Sequence, residues 1–159
     1  MTDTSDALRA QLAHILDWGE AHVGFDRAVK DIPLEMQGRK PPGFEHSPWQ
    51  LLEHMRLAQE DIFDFSVNAG YKEKQWPAEY WPKDPAPPDA GSWAASVSAF
   101  RADNEKLKQL ARDPKVDLFA KIPHGSGQTY IREILLVADH NAYHIGQLVA
   151  VRRALGIWK

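Results

Sequence analysis

Four long segments of the sequence repeat their apolar residues with the period of an α-helix, and this pattern constrains the fold more than any other feature. The predicted helices span about residues 5–29, 48–68, 92–113 and 129–155. Ser47 and Thr129 are suitable caps for the second and fourth of them. No segment shows the sustained alternation of a strand bounded by hairpin turns. The pattern therefore predicts an all-α fold, a four-helix bundle with long crossover connections.

The connection between the second and third helices is the longest of the chain. Residues 69–91 contain five prolines and four aromatic residues, a composition typical of an ordered segment that packs on the helices. At about 3.3 Å per extended residue it is long enough to return along a whole helix, so these two helices can run parallel. With no second block of different composition, residues 1–159 are predicted to form a single domain.

Composition excludes several classes of function. The chain has no cysteine, which removes disulfides, thiolate nucleophiles, cysteine-ligated zinc and iron–sulfur clusters. Its net charge of −3 offers no basic surface for nucleic acid or anionic lipid. The N-terminal residues do not resemble a signal peptide, and no apolar run approaches the ~20 residues of a membrane span. We therefore expect a cytoplasmic protein with no nucleic acid or membrane partner.

Three of the seven histidines fall on the core-facing sides of two predicted helices. His140 and His144 are four residues apart on the fourth helix, so both project from one face, and His54 lies among the apolar positions of the second. A buried imidazole without a partner costs about 1–3 kcal/mol. A shared metal ion removes that cost, because neutral imidazole is a good ligand for zinc, nickel or iron. Separate hydrogen bonds from each histidine to a carbonyl or carboxylate remain the alternative.

Three protein ligands without a fourth leave an open coordination position, as in catalytic metal sites. Other familiar motifs are not present. Asn141 follows His140 where zinc proteases have glutamate, and no glutamate is followed three residues later by histidine, as di-iron bundles require. The Gly125-Ser126-Gly127 turn has neither the spacing of a nucleophile elbow nor the lysine of a phosphate loop.

These motifs together resemble the DinB-like (DNA-damage-inducible) superfamily of metal-binding four-helix bundles. The resemblance rests on the helix that starts Ser47-Pro48-Trp49 and carries His54, on Tyr80-Trp81-Pro82, and on the stretch 139–147 with its His-x-x-x-His. It implies a divalent metal on His54, His140 and His144, zinc or nickel first and iron as an alternative, and a homodimer. Characterised relatives include transferases and isomerases that use a small thiol, and many members have no known activity.

Two functions follow as hypotheses. The first is a metal-dependent enzyme of the small-thiol-dependent transferase or isomerase type, acting on a small-molecule substrate; the second is a non-catalytic bundle with a structural or stress-related partner-binding role. Asp61 and Gln147 are candidates to orient a ligand of the metal, although a surface or structural contact is the favoured interpretation of each. His46 and His124 lie in connections, and Tyr143 is expected to pack in the core.

Overall fold

The computed structural model describes residues 4–17 and 19–159 and confirms the all-α fold. Its helices are α1 (Thr4–Ile15), α2 (Phe25–Val29), α3 (Leu34–Gln37), α4 (Pro48–Val67), α5 (Ser92–Arg112) and α6 (Tyr130–Ala154). The described residues include no β-strand, only an isolated bridge between Lys121 and Thr129. The long helices α1, α4, α5 and α6 form the bundle, and α2 and α3 belong to the connection between α1 and α4. No helix among the described residues has the length and apolar character to cross a membrane.

The first helix is shorter than the sequence analysis predicts. The prediction of a helix over residues 5–29 is wrong, because α1 ends at Ile15 and the chain becomes helical again only at Phe25. Gly19 and Gly24 interrupt the segment, and glycine lowers helix stability by about 1 kcal/mol per position. Gly24 adopts an extended conformation as the residue before α2, with φ −77° and ψ 166°.

Neighbouring contacts set the directions of α4, α5 and α6. The Gln59 side chain donates to the Phe100 carbonyl, and the Lys106 ammonium lies over the Phe63 ring, so α4 and α5 advance in the same direction. Asn141 of α6 donates to the Gln59 side chain, whereas His124, just before α6, is hydrogen-bonded to the carbonyl of Phe65. Helix α6 is therefore antiparallel to α4. The parallel arrangement of α4 and α5 requires the long crossover, as the sequence indicates.

The crossover, residues 68–91, is fastened to the start of α4. Ser47 and Gln50 form a capping box, in which each side chain accepts from the other residue's backbone N–H. The same two side chains donate to the crossover, Ser47 to the Pro85 carbonyl and Gln50 to the Pro82 carbonyl at 3.0 Å. The residues that start α4 therefore also hold the crossover over the face of α4 that carries His54.

Candidate metal centre

His54, His140 and His144 come together between α4 and α6, as their positions on the two helices suggest. One ring nitrogen of each lies within 4.8 Å of the other two, and the Nε2 atoms of His54 and His140 are 3.0 Å apart. His54 and His144 are buried, and His140 is partly exposed. Within the described residues, these three histidines form a cluster that can hold a metal ion. We call it the triad below.

Hydrogen bonds fix the protons of two triad members. The Nδ1 atom of His54 lies 2.9 Å from the Tyr80 carbonyl oxygen, and Nδ1 of His144 lies 2.7 Å from the Gln147 amide oxygen. Both oxygens can only accept, so each Nδ1 carries the proton and each Nε2 presents a lone pair. Metal-binding histidines in proteins commonly make this kind of hydrogen bond through the nitrogen that does not bind the metal.

Burial keeps the triad neutral. Desolvation lowers the pKa of His54 to about 3, and the neighbouring histidines add to the effect. Desolvation and the charge of His140 likewise lower the pKa of His144 to about 4. Burial also lowers the pKa of His140, partly opposed by the Asn141 side chain and by the charge of Asp139. At neutral pH all three rings are therefore in the form that binds a cation.

The spacing of the donor atoms suits a divalent ion. Bonds of about 2.0–2.1 Å in a tetrahedral zinc site place two nitrogen ligands about 3.4 Å apart. The 3.0 Å between His54 and His140 and the 4.8 Å limit for the trio lie on either side of that value. The spacing of the three nitrogens therefore brackets the separation that one shared ion requires. An all-imidazole set accepts zinc, nickel or iron, so the donors do not select among them.

Trp81 of the crossover forms one wall of the site. Its ring stacks on His54 with centroids 3.7 Å apart and planes 6° apart. On its other face it stacks on His46, at 3.8 Å and 17°. The three rings form a continuous stack that covers one face of His54 and fixes its plane. His46 therefore lies beside the site, separated from the triad by an indole ring.

Asp61 contacts the site through the crossover and not through the histidines. Its buried carboxylate accepts from the Tyr80 hydroxyl at 2.6 Å and from the Tyr71 hydroxyl at 3.1 and 3.2 Å. Tyr80 in turn offers its carbonyl oxygen to His54. Burial and Asp61 raise the pKa of Tyr71 to about 12 and that of Tyr80 further, so both hydroxyls keep their protons to donate.

His124, His22 and His14 lie away from the triad, whereas Tyr143 lies beside His144 at its exposed border. His124 is hydrogen-bonded to the Phe65 carbonyl at 2.6 Å, and His22 to the Val23 carbonyl at 2.9 Å. His14 pairs with Glu20 at 3.1 Å. The expectation that Tyr143 packs in the core is wrong: its side chain is 63% exposed, with the ring edge-on to His144 at 4.9 Å. Tyr143 immediately precedes His144 on α6. Adjacent side chains on a helix point about 100° apart, so Tyr143 points away from the bundle.

Three crossover aromatics that contact the site have roles that the sequence pattern does not indicate. Tyr80 supplies the carbonyl for His54, Trp81 stacks on the His54 ring, and Trp76 lies edge-on to it at 6.1 Å. The available signal was the concentration of aromatic residues in the proline-rich segment. It indicated a packed connection, but residue types alone do not show which helix the segment crosses.

Comparison with known proteins gives one match. A family model described as the DinB superfamily matches residues 19–148. No curated protein and no solved structure matches the chain. The matched region includes all three triad histidines and the whole crossover.

Proposed function

Because this chain belongs to the DinB superfamily, we propose that it is a metal-dependent enzyme in which His54, His140 and His144 bind one divalent cation. The reaction is of the small-thiol-dependent transferase or isomerase type, on a small-molecule substrate. Zinc or nickel is the proposed ion, with iron as the alternative. A cytoplasmic location and a homodimer, both expected from the sequence, are part of the proposal.

The convergence of the three histidines, two of which have their protons placed by hydrogen bonds, carries this proposal. Two Nδ1 atoms donate to carbonyl oxygens, which leaves the Nε2 lone pairs of His54 and His144 directed away from those partners. The buried rings are neutral at physiological pH, so binding a cation requires no proton release from them. Three neutral side chains add no negative charge, so a bound dication keeps its full charge and its ability to activate a fourth ligand.

The bound ion supplies Lewis acidity, which lowers the pKa of a water or thiol in the remaining coordination position. The side chains around the triad control the access of water and ligands. Trp81 and the core beneath α4 exclude water from one side of the triad, and the partly exposed His140 marks the side from which ligands enter. In a transfer reaction the sulfur of the thiol forms a bond to an electrophilic carbon. The leaving group departs with its electron pair, and the thiol proton passes to solvent.

The crossover positions this chemistry. The Tyr80 carbonyl orients His54, and the contacts of Tyr80 and Tyr71 with Asp61 anchor that part of the crossover on α4. The Gln147 side chain, also on α6, orients His144 in the same way. These groups are proposed as positioning residues, since none of them reaches the point where the triad nitrogens converge.

The test uses protein reconstituted with Co(II), whose visible and near-ultraviolet spectrum reports its ligands. An open position predicts a sulfur-to-cobalt charge-transfer band when 2-mercaptoethanol is added. The zinc form should then accelerate the conjugation of this thiol with monobromobimane, relative to the metal-free protein. His144→Ala should abolish both effects, whereas His22→Ala, at an exposed histidine hydrogen-bonded to the Val23 carbonyl, should not. A cobalt spectrum that does not change when the thiol is added would instead support the non-catalytic bundle.

A further inference from the structure

Two exposed aromatic side chains border the triad from two different elements. Trp76 of the crossover is 69% exposed, and Tyr143 of α6 is 63% exposed. Trp76 lies edge-on to His54 at 6.1 Å, and Tyr143 lies edge-on to His144 at 4.9 Å. Both therefore contact the triad directly while leaving most of their surface to solvent.

The Trp76 ring has further support within the crossover. It lies 5.4 Å from the ring of Tyr80, whose hydroxyl donates to the buried carboxylate of Asp61. The Gln75 N–H, just before Trp76, donates to the Glu79 carboxylate at 2.5 Å. Tyr143 is held on α6, one residue before His144. An exposed apolar ring in a fixed position beside a polar site is typical of a binding surface.

The rings around the triad add a second constraint on what binds there. Trp76 and Trp81 contact His54, edge-on and stacked respectively, and Tyr143 lies edge-on to His144. The organic part of a ligand at the triad therefore meets aromatic faces and edges.

We infer that Trp76 and Tyr143 form the surface that binds the organic part of the metal's fourth ligand, and that this part is planar and apolar, an aromatic or conjugated group. This inference rests on the proposed function, because it places the ligand on a metal held by the triad. It names the class of substrate that the site accepts: a small molecule with a metal-binding head and a flat apolar body.

The test compares two hydroxamates that share a metal-binding head. Acetohydroxamate carries a methyl group and benzohydroxamate a phenyl ring, and both are titrated into the Co(II) protein while its visible spectrum is followed. We expect the protein to bind benzohydroxamate about tenfold more tightly than acetohydroxamate, after correction for the ratio of their affinities for free Co(II) in solution. The cause is stacking of the phenyl ring against the two aromatic side chains. Trp76→Ala and Tyr143→Ala should each lower that preference about threefold, with unchanged cobalt content.

Phe119→Ala is the matched control. Phe119 is 66% exposed but lies on the connection between α5 and α6, so its removal should leave the preference as in the wild type. Equal preferences in the wild type and in the Trp76→Ala/Tyr143→Ala double variant, with cobalt bound in both, would overturn this inference alone. Failure of the wild type to bind cobalt would overturn the proposed metal site and this inference with it.

Discussion

The Nδ1 atom of His54 donates a hydrogen bond to the backbone carbonyl of Tyr80, 26 residues away on the crossover, at 2.9 Å. This contact joins a buried ring on α4 to a segment without helix or strand. Because a backbone carbonyl only accepts, it fixes the tautomer of His54 whatever side chain stands at position 80. The crossover is thus part of the candidate site as well as a connection between parallel helices.

Removing the anchor of the crossover should weaken metal binding without removing a ligand. Tyr80→Phe keeps the carbonyl that orients His54 but removes the hydroxyl that donates to Asp61. We expect the Kd for zinc to rise about tenfold, the lower end of the effect of groups that orient metal ligands. Competition with a chromophoric chelator measures it. Tyr143→Phe, which does not alter the Asp61 contacts, is the control, and equal affinities for the two variants would contradict this role.

Two substitutions of Gln147, the partner of His144, should have different effects on zinc affinity. Gln147→Ala removes the acceptor for Nδ1, and zinc affinity should fall about tenfold. Gln147→Glu keeps an acceptor and adds negative charge, which makes the imidazole more basic, so affinity should match or exceed that of the wild type. Isothermal titration with zinc would separate the two variants. A glutamate variant as weak as the alanine variant would show that the contact does not orient His144.

The metal-free protein should lose stability as the pH falls below neutral. Burial holds the pKa of His54 near 3 and that of His144 near 4, against 6.5 in the unfolded chain. The unfolded state therefore takes up protons first, and stability present above pH 6.5 is lost as the pH falls towards those values. Each histidine contributes a slope of at most about 1.4 kcal/mol per pH unit.

Urea unfolding between pH 7 and pH 5, in the presence of a chelator, measures this slope before the carboxylates titrate. His144→Gln should flatten it, since one of the three triad histidines whose pKa is lowered by burial is removed. A wild-type stability that is constant over the same range would mean that the histidines are accessible to protons in the folded chain.

Ser47 connects helix formation to the crossover and gives a stability prediction. Its hydroxyl oxygen accepts from the Gln50 N–H in the capping box and its hydrogen is donated to the Pro85 carbonyl. Ser47→Ala removes both contacts and should cost about 1–2 kcal/mol of the free energy of unfolding. Thr129→Ala removes a cap at α6 that has no crossover contact assigned to it, and should cost less. Urea denaturation of both variants, with the triad intact, provides the comparison.

Sequence reasoning located the helices wherever a cap and an apolar stripe agreed. Ser47 and Thr129 act as side-chain caps, and His54, His140 and His144 share one site because α4 and α6 place them on facing sides. It failed for residues 16, 17 and 19–24 of the described chain, where isolated apolar residues continued the helical period although Gly19 and Gly24 favoured an interruption.

The surroundings of the triad were not predictable to the same degree. A candidate metal site can be recognised from residue types and from their spacing along a helix. The contacts of Tyr80 and Trp81, in contrast, depend on how the crossover folds back over α4. A hydrogen bond to a backbone carbonyl in particular cannot be predicted from residue types, because every residue has that carbonyl. A step of one residue turns a side chain by about 100° on a helix, so Tyr143 was expected on a different face of α6 from His144. It was misplaced because that face was expected to pack in the core, whereas it is exposed to solvent.

Elemental analysis of the protein purified without a histidine tag, beside its His54→Ala variant, tests the central claim most directly. If the triad holds a metal, the wild type contains about one divalent ion per chain, which the variant loses while remaining folded. Wild-type protein that takes up neither zinc nor nickel when they are supplied would contradict the account. The histidines would then be satisfied by hydrogen bonds alone, and the proposed chemistry would have no site.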